Sequence, residues 1–324
     1  RTTARSDAAE ATVGAFLEGW RRLGCLDGRS LAWSRRALAA VVVYDVYEKL
    51  WLVPAFYENA TSTYPRFALE EDIGPAAALN PFTFAEGLAW PRALLLLTAL
   101  VALGMSRWRC CSILAWLLTA MAVLRNVHVS FIFDRYLLVA LFFSSCLPLR
   151  GHTGGPIPAV LLRLQLAWIY VDAGYGKVMD SRGDWAWSAE IPALSVYLRG
   201  VPFALGLQSL DRCLGGFVLR GATVAAAWAE VLVGPAMILS AAHGGTMVQI
   251  LAVLTVLLLH MGIGLCMEGG LAIALVALAA WIALLPAGFW EACGLRAPED
   301  GPKGGVRTGG AAWGGWAASL FVAA

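Results

Sequence analysis

The chain has 324 residues, of which 59% are hydrophobic and only 14% charged, with a mean hydropathy of +0.68. Soluble domains run near 45–50% apolar and about 25% charged, so this balance excludes an ordinary soluble domain and points to a polytopic membrane protein. A net charge of +2 with unclustered Arg residues excludes a nucleic-acid partner, and seven Cys without a CxxC or Cys/His ligand spacing exclude a disulfide framework and a metal site of the zinc type.

Taken in order, residues 1–30 are polar and rich in Arg and Ala. Phe16, Leu17, Trp20, Leu23 and Leu26 recur there at helical spacing, which predicts an amphipathic helix lying at a membrane surface. The chain opens on Arg1 and stops inside an apolar run, so it reads as truncated at one or both ends, and the first long apolar run is too long for a cleavable signal. A bilayer span needs roughly 20 mainly apolar residues. That rule predicts an all-α bundle of about eight spans, near 32–54, 88–105, 110–124, 135–149, 157–177, 218–241, 246–266 and 270–290. These spans make up a membrane domain over 31–291, followed by a Gly/Ala/Trp-rich tail over 292–324.

Orientation follows from Lys and Arg in short loops. Arg21, Arg22, Arg29, Arg35 and Arg36 precede the first span, Arg107 and Arg109 lie between the second and third, and Arg296, Lys303 and Arg307 follow the last. With eight spans all three groups share one side, which predicts a cytoplasmic location for both termini. The acidic 55–87 loop, with its sequon at Asn59, and the long 178–217 loop then lie on the other side. The charge pattern fits an endoplasmic reticulum, bacterial inner or organelle membrane equally well, and there is no internal repeat of the kind transporters use.

Ionisable residues at membrane depth are costly and mark candidate sites. They are Asp45, Glu48 and Lys49 in the first span; Arg125, Asn126, His128 and Asp134 around the third and fourth; Asp172 and Lys177 in the fifth; Glu230 in the sixth; and His260 in the seventh. Each has a structural alternative: Asp45 or Glu48 pairing locally with Lys49, Arg125 and Asp134 as an anchor and a cap, Glu230 serving the backbone freed by Pro235, and His260 as a hydrogen-bonded core residue. Together, a Lys, a carboxylate and a His on three spans are what a proton-handling pocket requires.

Arg125-Asn126, Asp134-Arg-Tyr-Leu-Leu, Leu147-Pro148-Leu149, Gln165, Ile169-Tyr170, Ala173-Gly174-Tyr-Gly-Lys177, Asp184-Trp185, Glu230 and His260-Met261 follow one another in an order and spacing that resemble the horizontally transferred transmembrane (HTTM) domain. This is the membrane domain shared with vitamin K-dependent gamma-carboxylases. The likeness runs from about residue 31 to about 290. It implies that Lys177 is the base that deprotonates a vitamin K hydroquinone-like cofactor, that His260 stabilises an oxyanion, that Glu230 tunes or relays protons, and that Arg125, Asn126, Asp134, Tyr170 and Trp185 line the cofactor site. It also implies a glutamate-containing protein as substrate. The carboxylases carry a large lumenal region after this domain, whereas a short tail follows here. Two functions are therefore expected: a carboxylase-like or quinol-oxidising membrane enzyme whose 55–87 and 178–217 loops roof the pocket, or a non-catalytic accessory or assembly subunit working with other membrane proteins.

Overall fold

The computed structural model describes residues 2–53, 80–83, 88–125, 132–149, 156–180, 182–197, 204–266 and 270–295, and among these it is helical, without a strand. The helices are α1 (Thr2–Leu23), α2 (Gly28–Trp51), α3 (Ala89–Leu103), α4 (Arg109–Leu124), α5 (Ile132–Cys146), α6 (Pro156–Val178), α7 (Ala193–Tyr197), α8 (Ala204–Cys213), α9 (Phe217–His243), α10 (Thr246–Cys266), α11 (Gly270–Ile282) and α12 (Ala287–Ala292). Three of them, over Ile157–Val178, Phe217–His243 and Thr246–Leu265, are long and apolar enough to cross a membrane. Helices α3, α4 and α11 are apolar but shorter. The expected span over 270–290 is two helices: α11 ends at Ile282 and α12 restarts after Pro286, whose ring and missing N–H disfavour a continuous helix.

The helices pack in a sequence of neighbours, α6 on α9, α9 on α10, α10 on α11, α11 on α2, α2 on α3, α3 on α4 and α4 on α5, and α5 closes the bundle against α11 and α2. The core is apolar and includes Leu38, Leu137, Leu141, Leu166, Val253, Val256 and Trp281. At the α6–α9 crossing the backbones come close because both helices present glycine. A Cβ on Gly174 would lie 2.6 Å from the Val231 nitrogen and 2.9 Å from the Ala227 carbonyl oxygen, and one on Gly234 would lie 2.8 Å from the Ala167 carbonyl oxygen. Small residues spaced along facing helices are what permits such an approach where no water drives association.

One end of the bundle is tied by arginine. Arg35 donates to the carbonyls of Ser144, Leu147 and Pro148 at 2.8–2.9 Å, where α5 ends. Arg109 donates to Ser145 at 3.2 Å, Arg163 to Cys25 at 2.8 Å and also to Leu23, and Arg22 to His243 at 3.1 Å. A cation suits a helix C-terminus, where four carbonyls lack partners and the dipole is negative. The residues that carry the positive charge bias are thus also helix caps. At this end α1 docks through Gly19 on Ala242 and exposes Val13, Phe16, Leu17 and Trp20 along one stripe.

Asp27 caps α2 there, accepting from the N–H of Arg29 at 2.8 Å and of Ser30 at 3.4 Å and holding the Arg29 guanidinium at 2.9 Å. Burial opposes its charge, but the hydrogen bonds from Arg29 outweigh that and hold the carboxyl below its ordinary value. A depressed carboxyl contributes stability that is fully present above its unfolded pKa and lost as pH falls below about 4. Asp27→Ala is therefore expected to cost about 1 kcal/mol near neutral pH. Asp27→Asn should keep most of the cap while flattening the acid-side loss, which unfolding curves in detergent between about pH 7 and pH 3 would read.

Candidate functional site

On α6, Tyr170, Gly174 and Lys177 stand at i, i+4 and i+7 and so share one face. Gly174 lets α9 approach that face, and Glu230 lies on α9 between Ala227 and Gly234. The Lys177 ammonium donates to the Glu230 carboxylate. The Lys177 side chain is 26% exposed and that of Glu230 7%. Helical side chains lean toward their own N-terminus. For Lys177, near the C-terminal end of α6, that direction leads back into the bundle, so the ammonium meets a buried carboxylate instead of reaching outward along the helix. Asp172 lies on the exposed side of α6.

The second half of the site is uncharged. The Tyr170 hydroxyl lies 2.5 Å from His260 Nε2, with the rings edge-to-face at 5.6 Å between centroids. Trp281 of α11 packs edge-on to the same tyrosine at 5.0 Å. The Tyr136 hydroxyl of α5 and the Trp281 indole approach the Tyr170 hydroxyl without closing a bond of normal geometry. Both are buried, as is His260.

The segment after α6 lies over the pair. Trp185 places its ring 5.0 Å from the Lys177 ammonium, a cation–π distance. It is held by the Ala193 N–H donating to the Asp184 carbonyl at 3.0 Å, by Leu194 N–H to Thr223 Oγ1 at 3.4 Å, and by Trp187 stacked edge-on to Phe217 at 5.1 Å. The part of the 178–217 loop that carries Trp185 thus covers the site.

Five of the expected residues, Lys177, Glu230, Tyr170, His260 and Trp185, come together. Asp134 goes elsewhere. Its carboxylate accepts from Lys49 at 2.9 Å, and Lys49 also donates to Asp45 at 2.7 Å, a cluster that joins the ends of α2 and α5 opposite the arginine-bonded end. The local Asp45–Lys49 pair is therefore present, and it has a cross-helix partner that spacing alone did not reveal. Arg125 is fully buried at the C-terminal end of α4. Asn126, His128 and the 55–79 portion of the other loop, including the Asn59 sequon, lie outside the described residues. Tyr136 and Trp281 were missed. The available signal was an aromatic with a polar handle inside an apolar span, Trp281 in a helix otherwise built of Ala, Leu, Ile, Val and Gly. Among the described residues no three His, Cys, Asp or Glu side chains are grouped as ligands for a metal ion. No family model matches this chain, and neither a curated protein nor a solved structure matches it.

Proposed function

We propose that the chain is a multi-pass membrane protein of about eight spans, with both termini on the cytoplasmic side, and that the Lys177–Glu230 pair is the proton-handling centre of a quinol-oxidising enzyme of the gamma-carboxylase type. Exposed aromatics support the membrane reading. Trp20, Trp33 and Trp108 ring the arginine-bonded end, and Tyr47, Trp51, Trp90, Tyr175, Trp187 and Phe217 ring the other, as side chains at two membrane–water interfaces do. Trp168 and Trp228 are exposed between these belts.

The enzymatic reading is carried by one observation: a lysine and a carboxylate from two helices long enough to cross a membrane meet inside the bundle, with the Tyr170–His260 pair alongside. A proton shared between amine and carboxylate in a poorly solvated place lets Lys177 accept one from a ligand hydroxyl while Glu230 takes or passes on its own. The Trp185 ring over the Lys177 ammonium and the buried His260 Nδ1 and Trp281 Nε1, which lack hydrogen-bond partners, are the groups that would meet the ring and oxygens of a quinol. A reduced quinone of the vitamin K hydroquinone class would supply an acidic hydroxyl there and, with dioxygen, a base strong enough for a glutamate γ-carbon. Lys177 is the group that receives the hydroxyl proton, Trp185 shields the ammonium, and a glutamate-containing protein is the substrate. Purified protein given reduced vitamin K, dioxygen and bicarbonate is expected to form the epoxide, and Lys177→Ala to form none while remaining helical by circular dichroism. Absence of oxidised product with every quinol tried would remove this reading.

A second reading rests on the Asp45–Lys49–Asp134 cluster. It is another partly buried ionic contact between bundle helices, and paired charges of this sort fix helix register. If Lys177–Glu230 serves the same purpose, the chain is a non-catalytic accessory or assembly subunit for other membrane proteins.

A further inference from the structure

We propose that Tyr170 is a positioning residue that holds His260 as the neutral tautomer with its proton on Nδ1, so that the imidazole of this site is a fixed hydrogen-bond donor and the Lys177–Glu230 pair is its proton acceptor. The first half stands on geometry alone; the division of roles rests on the proton-handling reading above.

The tautomer follows from counting donors and acceptors. Tyr170 Oη and His260 Nε2 are 2.5 Å apart, so one donates to the other. An indole N–H donates only, whereas a phenol donates once and accepts twice. Suppose Tyr170 donates to His260 Nε2. The Tyr170 proton then has its acceptor, and within this pair only the Nδ1–H of His260 is left without one. Suppose instead that His260 Nε2–H donates to Tyr170. The Tyr170 proton and the Nδ1 lone pair are then both without a partner, two unsatisfied groups in place of one. His260 Nδ1 has no hydrogen bond, and the residue is 6% exposed. An unsatisfied buried polar group costs about 1–3 kcal/mol, so the first order is the more stable.

The framework is rigid. Tyr136, Tyr170, His260 and Trp281 come from α5, α6, α10 and α11, and the edge-to-face contacts of Tyr170 with His260 and with Trp281 fix the ring from two sides. With Nε2 engaged by Tyr170 and the proton on Nδ1, the donor is committed before any ligand arrives. Two titratable groups in different settings divide donor and acceptor roles between them.

Side-chain 15N spectra of the whole protein in detergent, with His260 assigned through His260→Gln, test this without any enzymatic assay. The wild type is expected to show a pyrrole-type Nδ1 and a pyridine-type Nε2, unchanged between about pH 5 and pH 8, the window in which an unperturbed histidine titrates. Tyr170→Phe keeps the ring and is expected to give a mixture of tautomers with a pH-dependent shift. A wild-type His260 that is Nε2–H or an imidazolium near neutral pH overturns the proposal, and that measurement needs no variant of Tyr170. A Tyr170→Phe protein with the wild-type pattern overturns it as well. An Nδ1–H signature in a protein that oxidises no quinol leaves the tautomer standing and removes only the enzymatic reading.

Discussion

Lys177→Met is expected to destabilise the protein by about 3 kcal/mol, because it strands the Glu230 carboxylate inside the bundle. The figure belongs at the low end of the 3–5 kcal/mol found for broken buried pairs, since a quarter of the lysine side chain is exposed. Glu230→Leu should cost less, because the freed ammonium sits on a flexible stem beneath Trp185 and can reach water. The double variant Lys177→Met/Glu230→Leu removes both charges and is expected to recover most of the lost stability, as replacement of a whole buried pair by apolar residues usually does. Thermal unfolding of the four proteins in one detergent gives the coupling energy. Additive losses would mean that the two side chains do not interact in the folded protein. The double variant also separates the two functional readings. A structural pair replaced by well-packed apolar residues leaves assembly and function intact, whereas a proton-handling pair leaves a stable protein that oxidises no quinol.

The second large effect is expected at Gly174 and is paired with silence at Gly176. A methyl group at Gly174 would meet the α9 backbone at 2.6 Å, nearer than real Cβ atoms come, and the atom it meets is main chain that cannot swing aside. Gly174→Ala should therefore cost about 1–3 kcal/mol through overpacking, in spite of alanine's better helix propensity. By pushing α6 from α9 it should also part Lys177 from Glu230, so that the coupling energy of that pair falls in the Gly174→Ala background. A Cβ at Gly176 meets nothing within 4 Å, and Gly176→Ala is expected to stabilise α6 by up to about 1 kcal/mol. Equal behaviour of the two alanine variants would contradict the close approach of the two helices.

The same two glycines show how far a sequence can be read. Gly174 and Gly176 sit two residues apart in one motif, and composition treats them alike. Only the crossing of α6 and α9 makes one indispensable and leaves the other free. Long apolar helices were legible for a related reason in reverse: about 20 consecutive apolar residues are a local property, so α6, α9 and α10 follow from composition without knowledge of their neighbours. The break at Pro286 was equally local and was passed over because the run on both sides of it is apolar.

Partners across helices carry no such local mark. Lys49 shows its i+4 relation to Asp45 in the sequence, yet Asp134, which completes the cluster, stands 85 positions away. Lys177 and Glu230 are separated by 53 positions and Tyr170 and His260 by 90. The sequence by itself determined the helical class, the apolar character of the long helices, the bias of arginine toward one set of connections and the few ionisable side chains inside apolar runs, because each of these depends on a residue and its near neighbours. The tertiary structure alone decided which of those side chains meet, that Tyr136 and Trp281 join them, that Asp134 answers Lys49, and that the arginines close helix ends. These depend on which helix faces come within hydrogen-bonding reach, and that is set by the packing of the whole bundle.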